Sequence, residues 1–184
     1  MSLLSLPGFL MCAAIVAWPR AGQAQGSKTE QGHGGGLNAH WASGPHAQRL
    51  MLGWETPVLW SRQSARSPGR LELTGVLGVS YWHATHGRQP ASVWQLSAIP
   101  MLRWWPRGQG FYAEGGIGPT LFSHTHFADE NISTALQFGT LLGVGYQFTP
   151  AVRVGLGVSH FSNAGIKKPN PGFTMLQLSY SYRY

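Results

Sequence analysis

Leu176-Gln177-Leu178-Ser179-Tyr180-Ser181-Tyr182-Arg183-Tyr184 alternates without a break. Side chains of a strand point to opposite faces in turn, so one face collects Leu176, Leu178, Tyr180, Tyr182 and Tyr184 and the other Gln177, Ser179, Ser181 and Arg183. A helix would scatter both sets around its axis. Upstream the pattern recurs. Val152, Val154, Leu156 and Val158 oppose Arg153, Gly155, Gly157 and Ser159, and Leu136, Phe138, Leu142, Val144, Tyr146 and Phe148 oppose Gln137, Gly139, Gly143, Gly145 and Gln147. Leu71, Leu73, Leu77, Val79 and Tyr81 likewise oppose Arg70, Glu72, Thr74 and Ser80.

Composition agrees with strands and turns. The 184 residues include 25 Gly and 8 Trp but only 10% charged side chains, against ~25% in an ordinary soluble domain. The length predicts one domain. A mean hydropathy of −0.10, with no late apolar run of helix-spanning length, excludes a helical membrane protein.

Residues Leu3 to Trp18 form an apolar run followed by Ala21-Gly22-Gln23-Ala24, the small residues a signal peptidase reads. The expectation is a leader over residues 1–24, a polar Gly-rich start over 25–36 and a single strand-built domain over 37–184. Cys12 falls in the leader, so the exported chain has no disulfide or thiol chemistry. Loss of Arg20 leaves 12 basic against 6 acidic residues, a balance that favours anionic partners such as phosphorylated lipids.

Alternation alone fits a soluble sandwich as well as a barrel in lipid. Three features select the barrel. Tyr and Trp gather towards segment ends (Trp54, Trp104, Trp105, Tyr112, Tyr180 to Tyr184), as interfacial girdles require. The final strand ends on an aromatic residue, resembling the terminal signal of bacterial outer-membrane barrels. Charges on the polar faces, including Arg70, Glu72, Glu114 and Arg153, are few and of both signs, as in a small lumen filled by side chains. The prediction is an all-β, eight-stranded antiparallel transmembrane β-barrel with strands Leu37–Ser43, Gln48–Leu59, Gly69–His83, Ser92–Trp105, Phe111–Phe122, Thr134–Phe148, Val152–Ser162 and Phe173–Tyr184. An even number permits closure, which leaves no unpaired edge in lipid. Pro100 and Pro119 inside two of these strands remove ladder bonds.

With both termini periplasmic, the seventh strand and the Asn163–Gly172 loop reach the outer side. His160 and Ser162 then continue the lipid-facing series of Val152 to Val158. Two polar side chains among acyl tails run against stability. Residues i and i+2 of a strand lie roughly 6.6 Å apart on one face, so an imidazole leaning along the strand reaches a serine hydroxyl, the pairing of a nucleophile with its base.

The string His160-Phe161-Ser162-Asn163-Ala164-Gly165-Ile166-Lys167-Lys168-Pro169-Asn170-Pro171-Gly172 closely resembles the motif of the lipid A 3-O-deacylases, the PagL family of outer-membrane barrels. More loosely the resemblance covers Gln48 to Tyr184, including Ala113-Glu114-Gly115-Gly116-Ile117-Gly118. It implies a metal-free ester hydrolase without cofactor, cutting the 3-hydroxyacyl chain from position 3 of lipid A in the outer leaflet. Ser162 is the implied nucleophile and His160 the base. Asn170, Asn163 and the Gly165 backbone N–H are candidate oxyanion donors. Known members carry a Glu near the start of the last strand to orient the His, and the matching residue here is Thr174. Phe138 and Phe161 are implied acyl-chain contacts.

Lys167 and Lys168 are candidates for the phosphates of the substrate. The implied partners are lipid A or lipopolysaccharide and the surrounding outer-membrane lipids, with a homodimer left open and no nucleic acid. His124 with His126, and His83 with His86, are metal candidates without a nearby Cys or paired acid, so no metal is expected. Two other functions share the alternation: a non-enzymatic structural or adhesin-like barrel, and a different lipid-modifying barrel such as a phospholipase or acyltransferase.

Overall fold

A computed structural model describes residues 34–63 and 69–184. The leader over 1–24 and most of the polar start over 25–36 lie outside the described residues. The chain forms β1 (Gly36–Ser43), β2 (Ala47–Glu55), β3 (Trp60–Gln63), β4 (Arg70–Ala84), β5 (Ser92–Trp105), β6 (Phe111–Phe122), β7 (His126–Phe127), β8 (Glu130–Asn131), β9 (Leu136–Gln147), β10 (Val152–Ser162) and β11 (Phe173–Arg183). Eight antiparallel walls follow one another around a closed barrel: β1, β2 continued by β3, β4, β5, β6, β9, β10 and β11, which returns to β1. Closure is complete because β1 pairs with both β2 and β11, Trp41 standing opposite Leu50 and Leu178.

The sidedness is the reverse of a soluble protein. On β11, Leu176 (65%), Leu178 (45%), Tyr180 (47%) and Tyr182 (45%) are exposed, while Gln177, Ser179 and Ser181 are buried. The same inversion runs through Leu50, Leu52, Leu77, Val79, Leu142, Val144, Leu156 and Val158, all exposed. An apolar belt with a polar interior is stable only where the surrounding solvent is lipid.

Inside, the lumen is filled by a charged network and two apolar clusters, the smaller of them Met51, Val76, Ile99, Met101 and Leu141. Towards the end that holds the described termini, Glu55, 1% exposed, accepts from Arg103 at 3.2 Å, Arg153 at 2.7 Å and Arg183 at 3.0 Å. Arg103 also reaches Glu114 at 2.8 Å, and the Trp105 indole donates to Glu72 at 2.7 Å. Pairing of this kind offsets the cost of taking these charges out of water. Towards the other end, Trp82, Phe122, Phe127, Phe161 and Phe173 pack as one aromatic cluster with ring centroids 5.0 to 6.5 Å apart.

Three details depart from the predicted strands. The expected strand Gln48–Leu59 stops at Glu55 and resumes as β3, because Pro57 has no N–H to offer β4. Thr56 bridges the gap, its hydroxyl accepting from Gly75 N–H at 2.9 Å and its own N–H donating to Gly75 O at 2.8 Å. The strand expected over Thr134–Phe148 narrows to β9, since the Thr134 N–H and carbonyl turn to Ile132 and Gln137. Finally, the connection between β6 and β9 carries the small β7–β8 hairpin, which tucks Phe127 and Ile132 into the aromatic cluster. Pro100 and Pro119 do stay within β5 and β6, and the β5–β6 pairing lapses only between Ser97↔Thr120 and Met101↔Gly116, the stretch that contains both.

Candidate active site

β10 alternates outward Leu156 and Val158 with inward Arg153, Ser159 and Phe161, and His160 and Ser162 fall on the outward set. Opposite His160 stand Thr174 on β11 and Thr140 on β9; Ser162 stands opposite Phe138. Parity therefore gathers His160, Ser162, Thr174 and Phe138 on one patch of the outer wall, at the barrel end away from the described termini. Thr174 is exposed and the other three are half-buried.

His160 Nδ1 lies 2.8 Å from Thr174 Oγ1. When the hydroxyl accepts, Nδ1 carries the proton and Nε2 keeps a lone pair for a second partner. That ring edge runs beside Gly172, where a Cβ would sit 3.2 Å from Nε2 and 2.8 Å from Cε1. Gly172 also has φ of 68°, a conformation that side chains disfavour. Only glycine lets the loop pass the imidazole here. Asn170-Pro171-Gly172 has turn composition, and that was the one signal in the sequence for this residue. Among the described residues the Ser162 hydroxyl makes no hydrogen bond, so the pair shares a surface with the Oγ–Nε2 contact still open.

The loop after Ser162 is organised by Asn163, which is fully buried. Its Oδ1 accepts from Gly165 N–H at 2.9 Å, and its Nδ2 donates to Lys167 O at 2.7 Å and Ile132 O at 3.2 Å. Asn163 N–H in turn donates to Asn170 Oδ1 at 3.0 Å. Of the three oxyanion candidates, the Asn163 side chain and Gly165 N–H are thus committed within the loop, whereas the Asn170 amide donates to nothing among the described residues. Ser133, beside the β7–β8 hairpin, donates to Pro169 O at 2.7 Å, so that hairpin straps the same loop.

Lys167 and Lys168 are exposed at the loop tip beside the patch. Phe138 lies against it. Phe161 does not: it is 2% exposed inside the lumen, where alternate parity must send it, and it touches no lipid. His124 Nδ1 and Nε2 are engaged with Ser123 and the Ser92 carbonyl. Among the described residues no three His, Cys, Asp or Glu side chains gather as metal ligands.

This arrangement has relatives. The family model for lipid A 3-O-deacylase (PagL) matches residues 48–183. Lipid A deacylase PagL of Bordetella bronchiseptica is 55% identical over 150 residues, 82% of this chain and 84% of that protein. Its namesake from Pseudomonas aeruginosa is 34% identical over 134 residues, 72% of this chain and 75% of that protein. The crystal structure of the outer membrane enzyme PagL aligns with a TM-score of 0.71 at 29% identity, over 81% of this chain and 99% of its own. A de novo designed transmembrane β-barrel aligns with a TM-score of 0.50 at 9% identity, over 84% and 98%, a likeness of fold alone. With most of its length matched, over a stretch that contains the outer-wall patch, the chain belongs to the PagL family of lipid A 3-O-deacylases.

Proposed function

We propose that this chain is an outer-membrane esterase that removes the 3-hydroxyacyl chain from position 3 of lipid A in the outer leaflet. The observation that carries the reading is the outward projection of His160 and Ser162 from a wall otherwise faced with Leu, Val and Tyr. An ester at the headgroup boundary meets a nucleophile there without leaving the membrane. Residues 1–24 serve as the export leader and 25–36 as a polar approach to the barrel.

In the first step Ser162 Oγ attacks the ester carbonyl as its proton passes to His160 Nε2, and the carbonyl electrons move to oxygen. Thr174 Oγ1 holds Nδ1–H, fixing tautomer and ring direction. Where a carboxylate in that place would stabilise the imidazolium by charge, a hydroxyl supplies a dipole alone, so His160 is oriented more than it is made basic. Collapse of the tetrahedral intermediate returns the proton from Nε2 to the leaving 3-hydroxyl of the sugar and leaves the acyl group on Ser162. Water, deprotonated by the same imidazole, then attacks the acyl carbonyl; as the bond to Ser162 Oγ breaks, Nε2 returns the proton to Oγ and the 3-hydroxy acid is released. The Asn170 amide is the oxyanion donor, because it is the one candidate whose protons are not already engaged. Asn163 and Gly165 keep that amide in place through the loop. Phe138 bears on the acyl chain beside Ser162, and Lys167 and Lys168 meet phosphate.

The test is mass spectrometry of lipid A from cells expressing the wild type, Ser162→Ala and His160→Asn. Wild type removes one 3-hydroxyacyl mass and both variants remove none. Loss of the same mass with Ser162→Ala, or a change confined to phospholipid, overturns the reading.

A further inference from the structure

His160 and Ser162 project into lipid, a fluid that packs nothing firmly against them. Their placement has to be set from the other side of the wall, and the residue between them, Phe161, points that way. Its ring meets Trp82 at 5.0 Å in an edge contact of 82° and Phe122 at 6.5 Å. It is seated on bare backbone: Gly139 lies directly opposite on β9, and a Cβ there would come within 2.8 Å of Phe161 Cε1.

One neighbour of this ring is unusual. The Arg49 guanidinium stands 4.9 Å from the Phe161 centroid and 5.8 Å from that of Trp82. Arg49 is 3% exposed; among the described residues its one side-chain hydrogen bond is from Nη2 to Met51 Sδ at 3.3 Å, and Nε and Nη1 have no partner there. Arg103, Arg153 and Arg183 all reach Glu55, whereas no carboxylate lies within ion-pair distance of Arg49 among the described residues. A buried cation without an acid costs stability that an apolar side chain of the same length would spare. What Arg49 gains instead is two aromatic faces. Trp82 is its neighbour across the β2–β4 ladder, but Phe161 sits on β10, separated from β2 along the wall by β1 and β11. The contact therefore spans the lumen as a strut.

We propose that Arg49 is a positioning residue for the hydrolysis described above: by clasping Phe161 from across the lumen it fixes the short stretch of β10 from which His160 and Ser162 project. The inference rests on that assignment of the two residues. It also accounts for a charge that neither the ion network nor the chemistry uses.

The experiment uses the full barrel in detergent with lipid A as substrate, reading kcat, KM, heat-modifiable electrophoretic mobility as the measure of folding, and the rate at which a fluorophosphonate labels Ser162. Arg49→Met keeps the length and loses the cation. It is expected to lower kcat and the labelling rate about 10- to 100-fold, the scale of an ångström-sized misplacement, at unchanged KM and mobility. Arg49→Lys, which returns a cation to the rings, recovers part of the loss. Thr74→Val repacks the lumen on β4 away from the clasp and leaves kcat as in the wild type. Should Arg49→Met not fold, Phe161→Leu removes the ring face and carries the same expectation. A folded Arg49→Met or Phe161→Leu with kcat and labelling within twofold of wild type overturns the proposal, as does an equal loss in Thr74→Val. Ser162→Ala separates the two readings: if it still turns over lipid A the underlying assignment fails, and if it is silent while the clasp variants are normal only this inference does.

Discussion

Thr174→Val replaces the hydroxyl 2.8 Å from His160 Nδ1 with a methyl of the same shape. Because Thr174 lies on the outer face, beside Leu176 on a lipid-facing series, valine is welcome there and the barrel should fold as before. The variant removes one neutral hydrogen bond, whose net worth is about 0.5–1.5 kcal/mol. If that bond favours the reactive tautomer and orientation, its loss lowers kcat by about 2- to 13-fold, since 1.4 kcal/mol is a factor of about ten. This is far short of the ~10⁴-fold that follows from disabling the carboxylate of a full triad, because here no buried charge stands behind the imidazole. Thr174→Glu supplies that charge and should raise kcat above wild type. The assay is initial-rate release of 3-hydroxy acid from lipid A in mixed micelles, with mobility as the folding control. An unchanged kcat in folded Thr174→Val refutes the orienting role. A loss of a thousandfold refutes the estimate of its size and makes the hydroxyl a participant in the chemistry.

Gly172→Ala should lower kcat more than Thr174→Val does, since the new Cβ meets the imidazole at 2.8 Å and the backbone at φ of 68° resists it; comparison of the two variants in the same micelle assay decides. Asn170→Asp keeps the oxygen that accepts Asn163 N–H and loses the amide protons, so a drop of about 100- to 1000-fold in kcat with an intact fold is expected for an oxyanion donor; single-turnover acylation measures it, and a near-normal rate removes Asn170 from the role. Glu55→Gln strips the charge from a carboxylate that faces Arg103, Arg153 and Arg183, and should destabilise the barrel by about 3–5 kcal/mol in urea titrations of the refolded protein.

How far these features were readable in the chain depended on whether a local rule governed them. Period-two alternation fixes which way a side chain points once its strand is known, so the outward patch of His160, Ser162 and Thr174 followed from counting. The same counting put Phe161 in the lumen, and the implied acyl contact gave way to that geometry. Loop chemistry has no such period. Asn163 and Gly165 looked as available as Asn170, because the Asn163 amide is committed to the Ile132 and Lys167 carbonyls, and the Gly165 N–H to Asn163 Oδ1, only in the folded loop. The β7–β8 hairpin turns through Ala128 and Asp129 at φ of 54° and 64°; with no glycine at either place there was little to announce it. The halt at Pro57 was legible in principle, since a residue without an N–H cannot continue a ladder.

The aromatic stopper formed by Trp82, Phe122, Phe127, Phe161 and Phe173 has a kinetic consequence. On the proposed reading, a cylinder plugged in this way offers no path through the lumen, and traffic to Ser162 is confined to the plane of the leaflet. Encounter becomes a two-dimensional search among neighbouring lipids, and the fatty acid and the trimmed glycolipid depart sideways into the same monolayer that delivered them. Water and a proton alone have to be exchanged with the medium outside, and they arrive over the rim. Turnover should therefore depend on membrane fluidity more than on the bulk concentration of substrate.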